Sequence, residues 1–185
     1  MIEESLQLLS LRSLASKGED LFDWHSHPFF EFTLVNEDRA EIAYPPGWTR
    51  VPANTLLFYH VGERHGARVP RNRNPHFWVV HFAMNPQALE SMPALSDASS
   101  EARLWKLNDD QVATFRWLFS QMMNERNSGQ ALQGRMISAW LQVLLVSVER
   151  WAGPDNGPEI YASVRASPEV RKLWQSIHDR VHRPD

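Results

Sequence analysis

Four side chains in the first third of the sequence, His25, His27, Glu31 and His65, have the types needed to hold one divalent cation. Three imidazoles and a carboxylate form a borderline-hard donor set that suits zinc, iron, manganese, nickel or copper, and the donor list does not choose among them. They stand in Trp24-His25-Ser26-His27-Pro28-Phe29-Phe30-Glu31 and Gly62-Glu63-Arg64-His65. Side chains two apart on a strand share a face, so His25, His27 and Glu31 all point one way. A straight strand would still hold His25 and Glu31 roughly 20 Å apart at about 3.3 Å per residue, so the chain must bend between them. Pro28 has no N–H for a ladder bond and is the expected bend. Gly62 is expected to allow a tight turn that delivers His65 from a neighbouring strand. The competing reading makes the histidines ordinary hydrogen-bonded residues, with Glu31 solvated at a rim. An ionised Glu31 buried without any cation is the case that desolvation opposes.

The elements that position these residues come from the surrounding pattern. From about Leu6 to Met84, short runs of Phe, Trp, Val and Leu are separated by Pro, Gly and Asn, which predicts many short strands. Turn signals recur at Asn36-Glu37-Asp38, Pro45-Pro46-Gly47, Val61-Gly62 and Pro70-Arg71-Asn72. That spacing suggests an antiparallel sandwich or barrel. After Pro93 the period changes. Asn108 is placed to cap a helix opening at Asp109 and Asp110, acids that suit its positive end. Val112, Phe115, Leu118, Phe119 and Met122 then recur at three- and four-residue spacing. A second helix is expected from about Gln130 to Trp151, with Met136, Ile137, Trp140, Leu141, Leu144, Leu145 and Val148 as a wide apolar stripe. Such a stripe has room for the barrel on one side and a second subunit on the other. Residues 152–158 are rich in Gly and Pro and predict a hinge. Ser167, Pro168 and Glu169 then read as the start of a last helix carrying Val170, Leu173, Trp174, Ile177 and Val181.

The 185 residues are 43% hydrophobic and 22% charged, which fits a folded chain with one substantial core. No cysteine is present, so disulfides and thiolate metal sites are excluded, in keeping with a cytoplasmic location. The start lacks a basic and apolar leader, and no run reaches membrane-spanning length. A formal net charge of -3 argues against general polyanion binding, because phosphate contacts need clustered Lys and Arg.

His25-x-His27-x-x-x-Glu31 resembles the first cupin motif, and Asn54-(x)5-His60-x-Gly62-x-x-His65 resembles the second, with all four metal-ligand positions kept. The motifs are loosened. Gly18 lies one residue too far away for the opening glycine, Asp38 replaces the glycine expected after Glu31, and Asn54 and His60 stand where glycine and proline are usual. Trp24-His25-x-His27-x-Phe29-Phe30-Glu31, followed by His76-x-Trp78-Val79 and His81-Phe82, is similar to the sensor barrels of AraC-type transcription regulators. Val170-x-x-x-Trp174-x-x-Ile177 resembles the first helix of that group's helix-turn-helix domain.

The resemblance implies a mainly β fold with added helices: a cupin-like antiparallel β-barrel of jelly-roll type, followed by an antiparallel helix pair. It divides the chain into a sensor barrel (1–95), a helical dimerisation region (101–152), a linker (153–166) and the first helix of a truncated DNA-binding domain (167–185). The implied function is an effector-sensing module, not an enzyme. A small molecule enters the barrel, a homodimer forms through residues 109–151, and DNA is met only by a C-terminal domain absent from this chain. Trp24 and Trp78 are expected to wall the ligand pocket, and Arg39 and His76 to anchor a polar group; Trp78→Ala should then weaken effector binding more than folding. The rival expectation is a metal-dependent cupin enzyme, a dioxygenase or isomerase, with the ion on His25, His27, Glu31 and His65.

Overall fold

The computed structural model describes residues 6–15, 22–36, 40–44, 47–68 and 76–152. Nine strands lie in these residues: β1 Gln7–Ala15, β2 Phe22–His25, β3 Phe30–Val35, β4 Ala40–Tyr44, β5 Gly47–Val51, β6 Thr55–Tyr59, β7 His65–Arg68, β8 His76–Ala83 and β9 Leu104–Lys106. They form two antiparallel sheets, one ordered β1-β8-β3-β6-β9 and the other β2-β7-β4-β5. The first takes β9 from beyond residue 95, so the β layer extends into the stretch expected to be helical.

Every residue of β3 is buried, because its sheet is covered on both faces. Alternation decides which interior each side chain enters. Phe30, Phe32 and Leu34 join Leu56 and Phe58 of β6 and Trp78, Val80 and Phe82 of β8 in a core shared with the helices. The alternate positions Val35, Leu57, Tyr59, Phe77 and Val79 meet Ala40, Ile42 and Val51 of the second sheet. The molecule therefore has three layers: the small sheet, the large sheet and the helices. Facing antiparallel sheets of this kind are consistent with the cupin jelly roll.

A short helix, α1, spans Pro93–Ser96; α2 runs over Asp109–Arg126 and α3 over Gln133–Trp151. Asn108 caps α2 as expected. Its side chain accepts from the Gln111 N–H at 2.9 Å, and Gln111 returns a bond to the Asn108 N–H at 2.9 Å. Gly129 and Leu132 both have positive φ, which holds off helical geometry, so α3 starts at Gln133 and not at Gln130. Ile137, Leu141, Leu144, Leu145 and Val148 of α3 are buried, whereas Met136 is 47% exposed. The proposed linker and last helix, residues 153–185, lie outside the described residues, as does Arg39.

Trp78 is placed by this alternation on the helix side of its strand. It is 6% exposed, with the Arg116 guanidinium 4.3 Å from its ring centre and the His76 ring stacked on it at 4.1 Å. Trp78→Ala should therefore cost about 3–5 kcal/mol of stability, the usual range for emptying a core aromatic site. Urea unfolding measures it, and a loss below about 1 kcal/mol would show that the ring is not part of this core.

Candidate metal centre and ligand cavity

Five residues from three places converge at one end of the space between the sheets. Cross-strand pairing sets most of the geometry. In the small sheet His25 of β2 pairs with His65 of β7, and their ring centres are 4.3 Å apart. In the large sheet Glu31 of β3 lies between His81 of β8 and Tyr59 of β6. His27 sits in the bend that carries the chain from one sheet to the other, next to Pro28 and Phe29. The turn at Gly62, with φ of 75°, closes the arrangement by donating its N–H to the His27 carbonyl at 2.9 Å. One backbone hydrogen bond thus joins the two sequence motifs.

The hydrogen bonds assign most of the ring protons. Nδ1 of His25 faces the Asp23 carbonyl at 2.8 Å, Nδ1 of His27 the Phe29 carbonyl at 2.8 Å, and Nδ1 of His65 the Glu63 carbonyl at 2.9 Å. A carbonyl oxygen only accepts, so each Nδ1 carries its proton, and in the neutral ring each Nε2 presents a lone pair. Carbonyl-anchored imidazoles of this kind are the usual outer support of metal-binding histidines. His81 differs, because its Nδ1 lies 2.8 Å from the Ser10 hydroxyl, which can donate. Its Nε2–H is therefore free to donate to Glu31 Oε2 at 2.7 Å.

Glu31 is 6% exposed. Its Oε1 accepts from the Thr33 hydroxyl at 2.6 Å. Its Oε2 lies 3.0 Å from His27 Nε2 and 3.7 Å from His65 Nε2. Burial pushes the carboxyl up, but the imidazoles of His27, His65 and His81 outweigh this and hold it well below its ordinary value. Burial likewise opposes charge on His65, and the Glu31 carboxylate overcomes it and raises the imidazole. His65 Nε2 is buried and has no hydrogen-bond partner among the described residues.

Lone pairs on His27 and His65 aimed at an anionic oxygen require positive charge between them, supplied by extra protons or by a cation. The donor set fits a divalent transition metal. Single ligand atoms of His25, His27 and His65 lie within 4.8 Å of one another, and so, as a second group, do those of His27, Glu31 and His81. Two overlapping triads could therefore hold an ion, His25 with His27 and His65, or His27 with Glu31 and His81; the structure groups Glu31 with His81 and not with His25 and His65.

A buried ion pair fixes the turn that bears His65. The Arg103 guanidinium, 2% exposed, donates to Glu63 at 2.8 and 2.9 Å and to the Phe58 carbonyl at 2.8 Å. Burial raises the Glu63 carboxyl and Arg103 more than reverses this, so it is held below its ordinary value. His60 Nε2 donates to the Leu95 carbonyl at 2.7 Å, and Glu149 of α3 accepts from the Ala94 and Leu95 N–H groups at 3.0 and 3.1 Å. Polar contacts thus run from His65 through Glu63 and α1 to α3.

Beyond the cluster, a cavity of about 80 Å³, open to solvent at its mouth, continues between the sheets. Leu14, Ile42, Tyr59, Phe77 and Val79 line it, with Arg12 and Thr33. Trp24, His76 and Trp78 are not among the lining residues. Trp24 packs against Trp48 with ring centres 5.9 Å apart, and the Arg64 guanidinium lies over it at 5.6 Å. His76 bonds the Ser13 hydroxyl at 2.5 Å. The cavity face of β8 is instead Phe77, Val79 and His81, the opposite parity from His76 and Trp78. Arg12 and His81 were missed as site residues, although the alternation Ser10, Arg12, Leu14 along β1 places them on the same interior.

The fold is two facing antiparallel sheets with helices behind the larger one, and the cavity between the sheets opens to solvent. The profile of the AraC-like ligand binding domain matches residues 10–144, and the chain belongs to that family. No curated protein matches the sequence. Among solved structures, ToxT from Vibrio cholerae is 8% identical over 80% of this chain and 57% of its own, with a TM-score of 0.46. This chain thus spans little more than half of ToxT. A predicted oxalate decarboxylase from Thermotoga maritima is 15% identical over 43% of this chain and 69% of its own, with a TM-score of 0.39. The polyketide cyclase RemF from Streptomyces resistomycificus is 18% identical over 50% and 72%, with a TM-score of 0.37. No helix among the described residues is long and apolar enough to cross a membrane.

Equilibrium dialysis against zinc tests the fit of the cluster. The wild type should load, His65→Ala should lose most of the loading, and loading should fall as pH drops through the histidine range, because bound imidazoles must be deprotonated. A wild type that takes up no zinc, nickel or manganese at neutral pH would sink the site.

Proposed function

We propose that this chain is the effector-sensing and dimerising part of an AraC-type transcription regulator, with a small molecule bound between the sheets and DNA read by a separate C-terminal domain. The observation that carries this reading is the cavity, mostly apolar and adjoined by a few convergent polar groups, in a chain of the AraC-like ligand-binding family. Its floor is the sheet whose other face holds the helices, so a ligand that favours one arrangement of the sheet shifts the population of helix positions. Residues 167–185 would begin the DNA-binding domain, and such a regulator would work in the cytoplasm.

The helices have a second apolar side. Trp117 is 52% exposed, Met136 47%, Val143 46% and Val146 36%, and these suit a homodimer through residues 109–151. A divalent ion in the cluster of His25, His27, Glu31, His65 and His81 is part of the reading, supplying fixed positive charge at the cavity end. The second reading, a metal-dependent cupin enzyme, is favoured by the same donor set, and turnover that follows metal loading would establish it.

A small-molecule screen by thermal shift tests the sensing role. A true effector should raise the Tm of the wild type but not of Ala67→Phe, which fills the cavity while keeping its circular dichroism. Equal shifts in both proteins would place binding elsewhere and defeat the reading. Sedimentation tests the dimer separately: the wild type should be dimeric at micromolar concentration and Val143→Glu monomeric, and a monomeric wild type would end the dimer proposal.

A further inference from the structure

The cavity lining is uneven in charge. Glu31 is already committed to His27, His81 and Thr33. Among the described residues of the lining Arg12 is the sole Arg or Lys, and its guanidinium forms no ion pair or hydrogen bond with any described residue. Other arginines nearby are engaged: Arg103 by Glu63, Arg68 over the Trp48 ring at 3.7 Å, and Arg116 over Trp78.

Register places the exposed Arg12 on the cavity side of β1, at the open mouth. It pairs across the ladder with Val79, between the pair Ser10 and His81 on one side and the pair Leu14 and Phe77 on the other. The steps between these rows are about 7 Å, two residues of an extended strand. A fixed cation therefore stands between the imidazole cluster and the apolar end of the cavity, made by Leu14, Phe77 and Ile42. A guanidinium offers paired N–H donors whose geometry matches a carboxylate, and it stays charged at any physiological pH.

We propose that the effector is a small carboxylate, its anionic end paired with Arg12 and its apolar body lying against Leu14, Ile42, Phe77 and Val79. This rests on the sensing role proposed above and names the chemistry of its ligand. Cationic effectors are disfavoured by Arg12, and a neutral one offers the guanidinium no anion. The apolar walls favour an aliphatic or aromatic acid over a sugar acid, whose hydroxyls would lose water without finding partners there.

Calorimetric titration with octanoate and benzoate, against the neutral octanamide and benzamide, tests this on protein treated with EDTA. Removal of metal ensures that a cation at the histidine cluster cannot itself select the acids. The acids should bind at least about tenfold tighter than the amides, the scale of one charge-assisted pair. Arg12→Gln should abolish that preference and Arg12→Lys retain part of it. Arg12 lies at an exposed strand position, so neither change should disturb folding. Amides binding as well as acids, an acid preference that survives Arg12→Gln, or acids that fail to bind at millimolar concentration would each overturn the carboxylate assignment. These results leave the sensing role standing if the screened effector still requires an open cavity. Acid binding that persists unchanged in Ala67→Phe lies outside the cavity and would overturn both.

Discussion

A β-sheet covered on both faces has no solvent side, so each residue of its inner strands must enter one of two interiors. Here the large sheet separates a dry aromatic core against the helices from a cavity shared with the small sheet. Parity along β3, β6 and β8 makes the assignment, and everything functional depends on it. A one-residue slip would put Phe32 and Phe82 into the cavity and Glu31 and His81 under the helices, leaving a carboxylate among aromatic rings. The stacked and tilted rings of Phe30, Phe32, Phe58 and Phe82 resist such a slip, since they pack as one group with centres 4.6 to 6.2 Å apart.

The same division explains why so many polar groups can be kept out of water at the cavity end. Glu31 is buried, yet the side of the strand it occupies brings His81 and Thr33 within hydrogen-bond reach and His27 and His65 close behind. Each of the three imidazoles anchored on a backbone carbonyl has its orientation set before any ligand arrives. Preorganisation of this kind lowers the ordering cost of binding a cation or an anionic ligand. It also ties the cluster to the backbone of the Gly62 turn, so the site and the turn move together.

Two sets of contacts run from the cavity to the helices in this fold. One is packing through the large sheet, since Val79 and Trp78 are neighbours on β8 facing opposite ways. The other is polar, from the His65 support at Glu63 through Arg103, and from His60 to Leu95 and Glu149. A buried bidentate Arg–Glu pair is costly to break on one side alone. It therefore behaves as a rigid link between the second motif and the segment leading into β9.

Much of this was legible in the residues. The strand-rich first half, the Asn108 cap and the buried stripe of α3 all follow from local chemistry and from periods of 2 and 3.6, which a linear pattern carries. Gly62 also announced its turn, because few other residues adopt that φ cheaply. The placement of Trp78 and His76 was not legible. Both parities of Phe77-Trp78-Val79-Val80-His81-Phe82 are aromatic or apolar, so alternation shows that two faces exist without saying which meets the cavity. The fifth member of the cluster, His81, and the cation Arg12 come from β8 and β1, which only pairing brings into one sheet with β3. Arg103 and Glu63 are forty residues apart, and nothing local marks them as partners. By itself, then, the sequence determined which side chains had the chemistry and which segments were strands or helices, because those depend on near neighbours. The tertiary structure decided which interior each strand face entered and which distant groups met there, because those depend on register between strands and on what covers each side of the sheet.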